Sequence, residues 1–348
     1  MFDLIKELTE FIGPVGQEAD IVAYIERLWE SQSIHTERTN IGNLLGRWSG
    51  RGNNDNTKKL LITAHADELC YLVRAIDPSG FLYLANGQGW TRTTDIRNYF
   101  TVGSRVKVLA RNGVVPGVIA APTGHAATVA LPDLRELTWN DMWVDTGLSR
   151  DELIAKGVTP GTRIVWDSVT EQWGNHVVGK ALDDRVPVAI LTELVKRVPV
   201  DKLKWDVTLA ATVQEEIGVI GASALAAREK FDAAIIVEIG LAGDIPHVGL
   251  NAIPVRLGAE PTLVHKDSLI HYDHALTTAL EQCAAAANIP IQHAVFGSFG
   301  SDGAAFMRAD VPAAMIAFPA RYTHSPFEMG HLGDIEAMVA WLAAFVQQ

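Results

Sequence analysis

Cysteine is scarce in this chain. Cys70 and Cys283 are its only two, each alone in its segment of a 348-residue sequence. No CxxC spacing and no disulfide framework can be drawn from them, which fits a reducing compartment. Long apolar runs are missing too: no stretch approaches the roughly 18 apolar residues of a membrane helix, so no membrane partner is expected. The segment Met1 to Ile12 is amphipathic and acidic, without the basic start and apolar centre of a signal peptide. The expectation is a cytoplasmic protein. Basic residues are outnumbered, 29 Lys and Arg against 41 Asp and Glu, and the net charge of -12 argues against nucleic acid or an anionic membrane as partner. Internal repeats and low-complexity tracts are absent as well.

What is present points to a folded globule. Apolar residues make up 48% of the chain, with 9 Trp, 11 Phe and 6 Tyr, and this length allows one large domain or two. Phe2, Ile5, Leu8, Phe11 and Ile12 recur at helical spacing until Gly13-Pro14 ends the helix. A second helix from near Gln17 carries Ile21, Ile25 and Leu28. Asn40 to Trp48 and Lys59 to Ala64 read as strands. From about Leu72 to Val178 the helical period fades into short alternating runs: Phe81 to Leu84, Arg105 to Leu109, Val114 to Ala121, Arg163 to Trp166. One short helix fits at 148–157. The α/β alternation returns at Gly179, with helices over 184–197, 222–230 and 269–286 and after Asp334, and strands ending near Glu215, Val237 and Phe318. The fold class expected is α/β, a mixed central sheet flanked by helices. An inserted small β-barrel-like domain interrupts it. The catalytic domain is discontinuous, 1–69 and 175–348, and the insertion spans 70–174.

Six stretches put metal-type ligands at the ends of expected strands: His65 with Asp67, Asp183-Asp184, Glu215-Glu216, Glu238, Asp302 and His324. Strand ends of an open α/β sheet are where ligands bind. Imidazole and carboxylate suit zinc, cobalt or manganese, and in His-x-Asp the carboxylate can orient the ring while its other nitrogen takes the metal. Taken singly, a histidine after a strand is more often a hydrogen-bonded core or surface residue, Asp183-Asp184-Arg185 more often a helix start with a salt bridge, and a Glu-Glu pair more often a solvated acidic turn.

In order along the chain they resemble one family. His65-Ala66-Asp67-Glu68, Gly179 to Arg185, Val213-Gln214-Glu215-Glu216-Ile217-Gly218 and Arg321-Tyr322-Thr323-His324-Ser325-Pro326 resemble the co-catalytic metallo-aminopeptidases of the glutamyl aminopeptidase and tetrahedral (TET) aminopeptidase family. The resemblance covers nearly the whole chain. It implies two divalent ions, Zn, Co or Mn, with His65, Glu238, Glu216 and His324 as individual ligands and Asp183 bridging. Glu215 would be the general base and Asp67 would orient His65. It further implies peptide substrates, a zinc-peptidase-like fold, and self-association through the insertion to a dimer and on to a dodecamer.

Three departures stand out. Glu238 occupies a position where the family usually has Asp. Gly258-Ala259-Glu260-Pro261 replaces a common Gly-x-Gly-Pro, and Phe299-Gly300-Ser301-Asp302-Gly303 replaces Gly-Gly-Thr-Asp-Ala. The last two are expected near the substrate pocket, where Asp302 is one candidate to read a free α-amine. His125 in the insertion can contact substrate or a partner subunit, with surface hydrogen bonding the plainer reading; His271, His274 and His293 read as ordinary residues. A related amidohydrolase (a deblocking enzyme or N-deacylase) would use the same metals on substrates without a free amine. A glycosidase would also use paired carboxylates, and a non-catalytic assembly protein would keep only the fold.

Overall fold

The computed structural model describes residues 1–49, 57–87, 102–122 and 138–348. His125, and the Gly87–Thr94 loop beyond its first residue, lie outside them. Helices α1 (Phe2–Glu10) and α2 (Ala19–Glu30) open the chain, followed by strands β1 (His35–Arg38), β2 (Leu44–Trp48) and β3 (Lys59–His65). Next come β4 (Tyr71–Ile76), β5 (Leu82–Asn86), β6 (Arg105–Ala110), β7 (Gly113–Ala120), β8 (Trp143–Asp145), α3 (Arg150–Ala155) and β9 (Arg163–Trp166). Strands β10 (Glu171–Trp173) and β11 (His176–Gly179) precede α4 (Leu182–Arg197), β12 (Asp206–Thr212), α5 (Ile220–Arg228) and β13 (Ala233–Leu241). The chain closes with β14 (Thr262–Lys266), α6 (His274–Ala286), β15 (Gln292–Val295), α7 (Gly303–Arg308), β16 (Ala313–Arg321), β17 (Glu328–His331) and α8 (Leu332–Val346).

Two compact units result. The first comprises Met1–Glu68, Thr170–Thr323 and Glu328–Gln348; the second comprises Leu69–Val169 with His324–Phe327. In the first, an eleven-stranded mixed sheet runs β1-β2-β12-β3-β13-β16-β17-β11-β10, with β14 against β16 and β15 beyond it. In the second, β4-β5-β8-β7-β6-β9 close into a barrel, around Tyr71, Leu82, Val106, Ile119, Val144 and Ile164. Closure leaves that sheet no free edge.

The period of two along each central strand separates two cores. Leu60 and Ile62 of β3, Leu209 and Ala211 of β12, and Ile316 and Phe318 of β16 pack with α1, α2, α4, α6 and α8. Their neighbours Leu61, Ala210 and Met315 pack on the opposite face, with α5 and α7. Both faces are covered, which is why these strands read as unbroken apolar runs.

Two elements start four or more residues later than the sequence suggests. The strand expected from Asn40 starts at Leu44, because Thr39 N–H donates to Asn43 O at 2.9 Å and Gly42 sits at φ +108°, making 39–43 a turn. The helix expected from 269 starts at His274, where the Asp273 side chain caps it by accepting from Leu276 N–H. Asp267 holds the preceding turn by accepting from Leu269 and Ile270 N–H.

Candidate metal centre

Three parallel strands deliver the site. β12 runs beside β3 with Thr212 level with His65, so Glu215 and Glu216 begin just past that level. β13 flanks β3 on the other side; two residues past their last pair, Ile236 with Thr63, the strands reach Glu238 and His65. Asp183 and Asp184, joined by a cis peptide, come from the first turn of α4. All these carboxyl-terminal strand ends converge at one edge of the sheet, where α/β folds place their ligands.

There His65, Asp183, Asp184 and Glu238, all buried, each bring one ligand atom within 4.8 Å of the others. His65 Nε2 lies 3.0 Å from Asp183 Oδ1 and 4.0 Å from Glu215 Oε2, while its Nδ1 lies 3.4 Å from Asp67 Oδ1. Asp183 and Glu216 likewise bring carboxylate oxygens within 4.8 Å. His324 belongs to the short His324–Phe327 segment grouped with the second unit, with a left-handed φ of +62°. Asp302 is buried at the start of α7, and accepts from Thr212 Oγ1 at 2.6 Å; its Oδ1 has no hydrogen-bond partner among the described residues.

Electrostatics sets this cluster apart. Burial opposes charge on the His65 ring, but the carboxylates of Asp184, Asp67 and Asp183 outweigh it and hold its pKa well above that of free imidazole. Burial, offset in part by His65 and reinforced by Glu216, Asp302 and Glu238, pushes Glu215 well above the usual carboxylate range. Asp184 is driven the same way by burial and by Glu238. Glu238 is pushed up to about 8 by burial and the adjacent Asp183, and Asp302 to about 6, chiefly by burial. Acids crowded together out of water resist ionising, and a divalent cation relieves that resistance. An imidazole among buried carboxylates is a donor set that fits zinc, cobalt or manganese.

A model of the M42 glutamyl aminopeptidase family matches residues 42–340. The chain belongs to this family. Over 100% of its length it is similar to an aminopeptidase from the archaeon Desulfurococcus kamchatkensis, covering 94% of that structure at 28% identity and a TM-score of 0.90. It is also similar to the TET1 peptidase of Pyrococcus horikoshii, which can assemble into a tetrahedron or a large octahedral shell; identity is 27%, coverage 99% and 98%, TM-score 0.84. A third similar structure is an endoglucanase from Thermotoga maritima, at 25% identity, coverage 98% and 96%, TM-score 0.76. This M42 chain is thus a metal-dependent peptidase with a dinuclear metal-binding cluster.

Within that M42 site, Asp67 does more than the sequence implied. Besides facing His65, its Oδ1 accepts from Glu215 N–H at 3.0 Å and its Oδ2 from Glu216 N–H at 3.2 Å. Asp184 also exceeds the reading of a helix start: its Oδ2 accepts from His65 N–H at 2.9 Å while it joins the ligand group. Glu328 was missed altogether, and its Oε2 accepts from Asp183 N–H at 3.1 Å. Nothing local to Glu328 signals this, because the contact depends on β17 pairing with β11 across the sheet. Among the described residues no helix is long and apolar enough to cross a membrane.

Proposed function

We propose that this M42 peptidase is an aminopeptidase that releases N-terminal residues from peptides, with Glu215 as general base. The observation that carries this is the buried group of His65, Asp183, Asp184 and Glu238 with the Glu215 carboxylate beside it. His65, Asp183 and Glu238 would hold one ion, and Asp183 and Glu216 the other, with His324 a further ligand implied by the family resemblance; zinc, cobalt and manganese all suit these donors. Two ions so held polarise a scissile carbonyl and acidify water.

The chain's own residues do the rest. Glu215, whose pKa burial raises, takes the proton of the attacking water and returns it to the departing amine. Asp67 fixes the His65 ring and holds the backbone of Glu215 and Glu216, so the base and its neighbour keep their separation. Glu238, one methylene longer than Asp, would reach its ion with a longer arm. For assembly, the proposal is self-association through the barrel unit to a dimer and on to a dodecamer, acting on peptides in the cytoplasm; the likeness to the TET1 peptidase, which can assemble into a tetrahedron or a large octahedral shell, supports a closed assembly.

The test is a panel of aminoacyl-anilides, free and N-acetylated, assayed after chelation and reloading with Zn, Co or Mn. An aminopeptidase cleaves the free amines only. Preference for the acetylated set would make it a deblocking enzyme or N-deacylase. The likeness to an endoglucanase favours keeping one other reading in the test, since paired carboxylates also serve glycosidases. Glycan hydrolysis that survives chelation would establish it, although that chemistry leaves the imidazole of His65 without a use.

A further inference from the structure

The turn bearing Glu215 and Glu216 is held from outside itself. Four successive backbone N–H groups each donate to a side chain from another part of the chain. Val213 donates to Asn43 Oδ1 at 3.1 Å, Gln214 to Glu18 Oε1 at 3.2 Å, and Glu215 and Glu216 to the two oxygens of Asp67. Gln214 sits at φ +55°, a left-handed conformation that a non-glycine residue keeps only when its surroundings impose it.

Asn43 holds both ends of this turn. It is wholly buried, 0% exposed, and while its Oδ1 accepts from Val213, its Nδ2 donates to Gly221 O at 2.9 Å. Gly221 N–H in turn donates to Val213 O at 2.9 Å, closing a ring of three hydrogen bonds around the base of the turn. The approach is so close that a Cβ on Gly221 would lie 2.4 Å from Asn43 Oδ1 and 2.4 Å from Val213 O, so this position must be glycine. Asn43 is fixed in its own right, its N–H donating to Thr39 Oγ1 at 3.0 Å.

We infer that Asn43 is a positioning residue for the peptidase reaction, setting where Glu215 and Glu216 stand relative to His65 and Asp183. The inference rests on the reading of Glu215 as base and Glu216 as ligand. Only an amide supplies one acceptor and one donor in this geometry. Asp keeps the shape and the acceptor but turns an anion toward the Gly221 carbonyl; Ala leaves the Val213 N–H without its acceptor and removes the link to the Gly221 carbonyl.

Asn43→Asp and Asn43→Ala are assayed well below each variant's unfolding temperature, with metal affinity titrated separately from turnover. The expected result is an activity at saturating metal lower by about 10–100-fold with unchanged KM, and weaker binding of one ion by a similar factor, the usual effect of disturbing a residue behind a metal site. Folded variants with wild-type turnover and wild-type metal affinity, even at a lowered Tm, would overturn the inference and leave Asn43 as packing alone. Glu215→Gln run alongside separates the two claims. Wild-type turnover there refutes the role of Glu215 and this inference with it; a slow Glu215→Gln beside unimpaired Asn43 variants refutes only the inference. Should neither Asn43 variant fold, hydrogen exchange on the wild-type protein decides. Amides of Val213 and Gly221 protected like those of β12 support it, and freely exchanging ones overturn it.

Discussion

Two buried acidic sites lie on one short stretch of this chain, and they are built on opposite principles. Glu68, 2% exposed, pairs with the buried ammonium of Lys180 and accepts from Gly13 N–H at 3.0 Å. Backbone bonds from Glu68 N–H to Gly13 O and from Val15 N–H to Glu68 O tie the N-terminal segment across it. Charge there is matched one for one. Around His65, by contrast, a single imidazole faces Asp67, Asp183, Asp184, Glu215 and Glu238, and burial pushes several of those acids upward. Charge that is paired holds a fold together, whereas charge left in excess out of water marks a place for a cation.

The contrast breaks most sharply at the base. Glu215→Gln keeps size and shape but removes the proton acceptor, so turnover should fall by roughly 10²–10⁴, with both ions and substrate still bound. Loss of metal instead of turnover would exchange the roles of Glu215 and Glu216. At the paired site the effect is on stability. Lys180→Met leaves Glu68 buried without its countercharge and should cost about 3–5 kcal/mol, read by urea unfolding of the metal-free protein. A cost of under about 1 kcal/mol, the worth of a surface pair, would show that the pairing is not structural.

Acidity sharpens the comparison further. In the metal-free protein the Glu238 pKa lies at about 8 against an ordinary 4.5. A raised folded-state pKa contributes stability that is complete below the unfolded value and is lost as pH rises through the folded one. The metal-free protein should therefore lose stability between about pH 5 and 8, and Glu238→Gln should flatten that part of the profile. Since ligands must shed protons to bind, metal affinity should rise over the same range. The smallest change is Glu238→Asp, which restores the family's usual residue. Activity should persist while the order of preference among Zn, Co and Mn shifts; an unaltered metal preference would show that the extra methylene is absorbed without consequence.

Much of this was legible in the sequence because it is local. The runs that end at His65, Glu215 and Glu238 carry their own apolar signal, and strand ends are where an α/β sheet gathers chemistry. The change of period near Leu72 marked a closed barrel. What escaped was non-local. Asn43 looked like a residue within a strand, yet it ends a turn and reaches across to Val213 and Gly221. Glu18 carried no signal of its own in the sequence, yet it is buried and accepts from Gln214 N–H. Short strands such as β10, β14, β15 and β17 gave no periodic signal in three to five residues, and they exist because the larger sheet offers them partners. Asp183-Asp184 stood out as an acidic stretch, but the ligand role went to Asp183 alone, since neighbouring side chains ordinarily diverge; both join the buried group.

The central claim is that the surplus of buried carboxylates around His65 is the seat of two metal ions, with Asp183 shared between them. Elemental analysis of the reloaded protein tests it most directly, comparing the wild type with Glu238→Ala and Asp183→Asn. Two divalent ions per wild-type chain, fewer in Glu238→Ala and fewest in Asp183→Asn, is the result this account predicts. Wild-type protein that binds no ion, or an Asp183→Asn variant that retains a full complement, would contradict it.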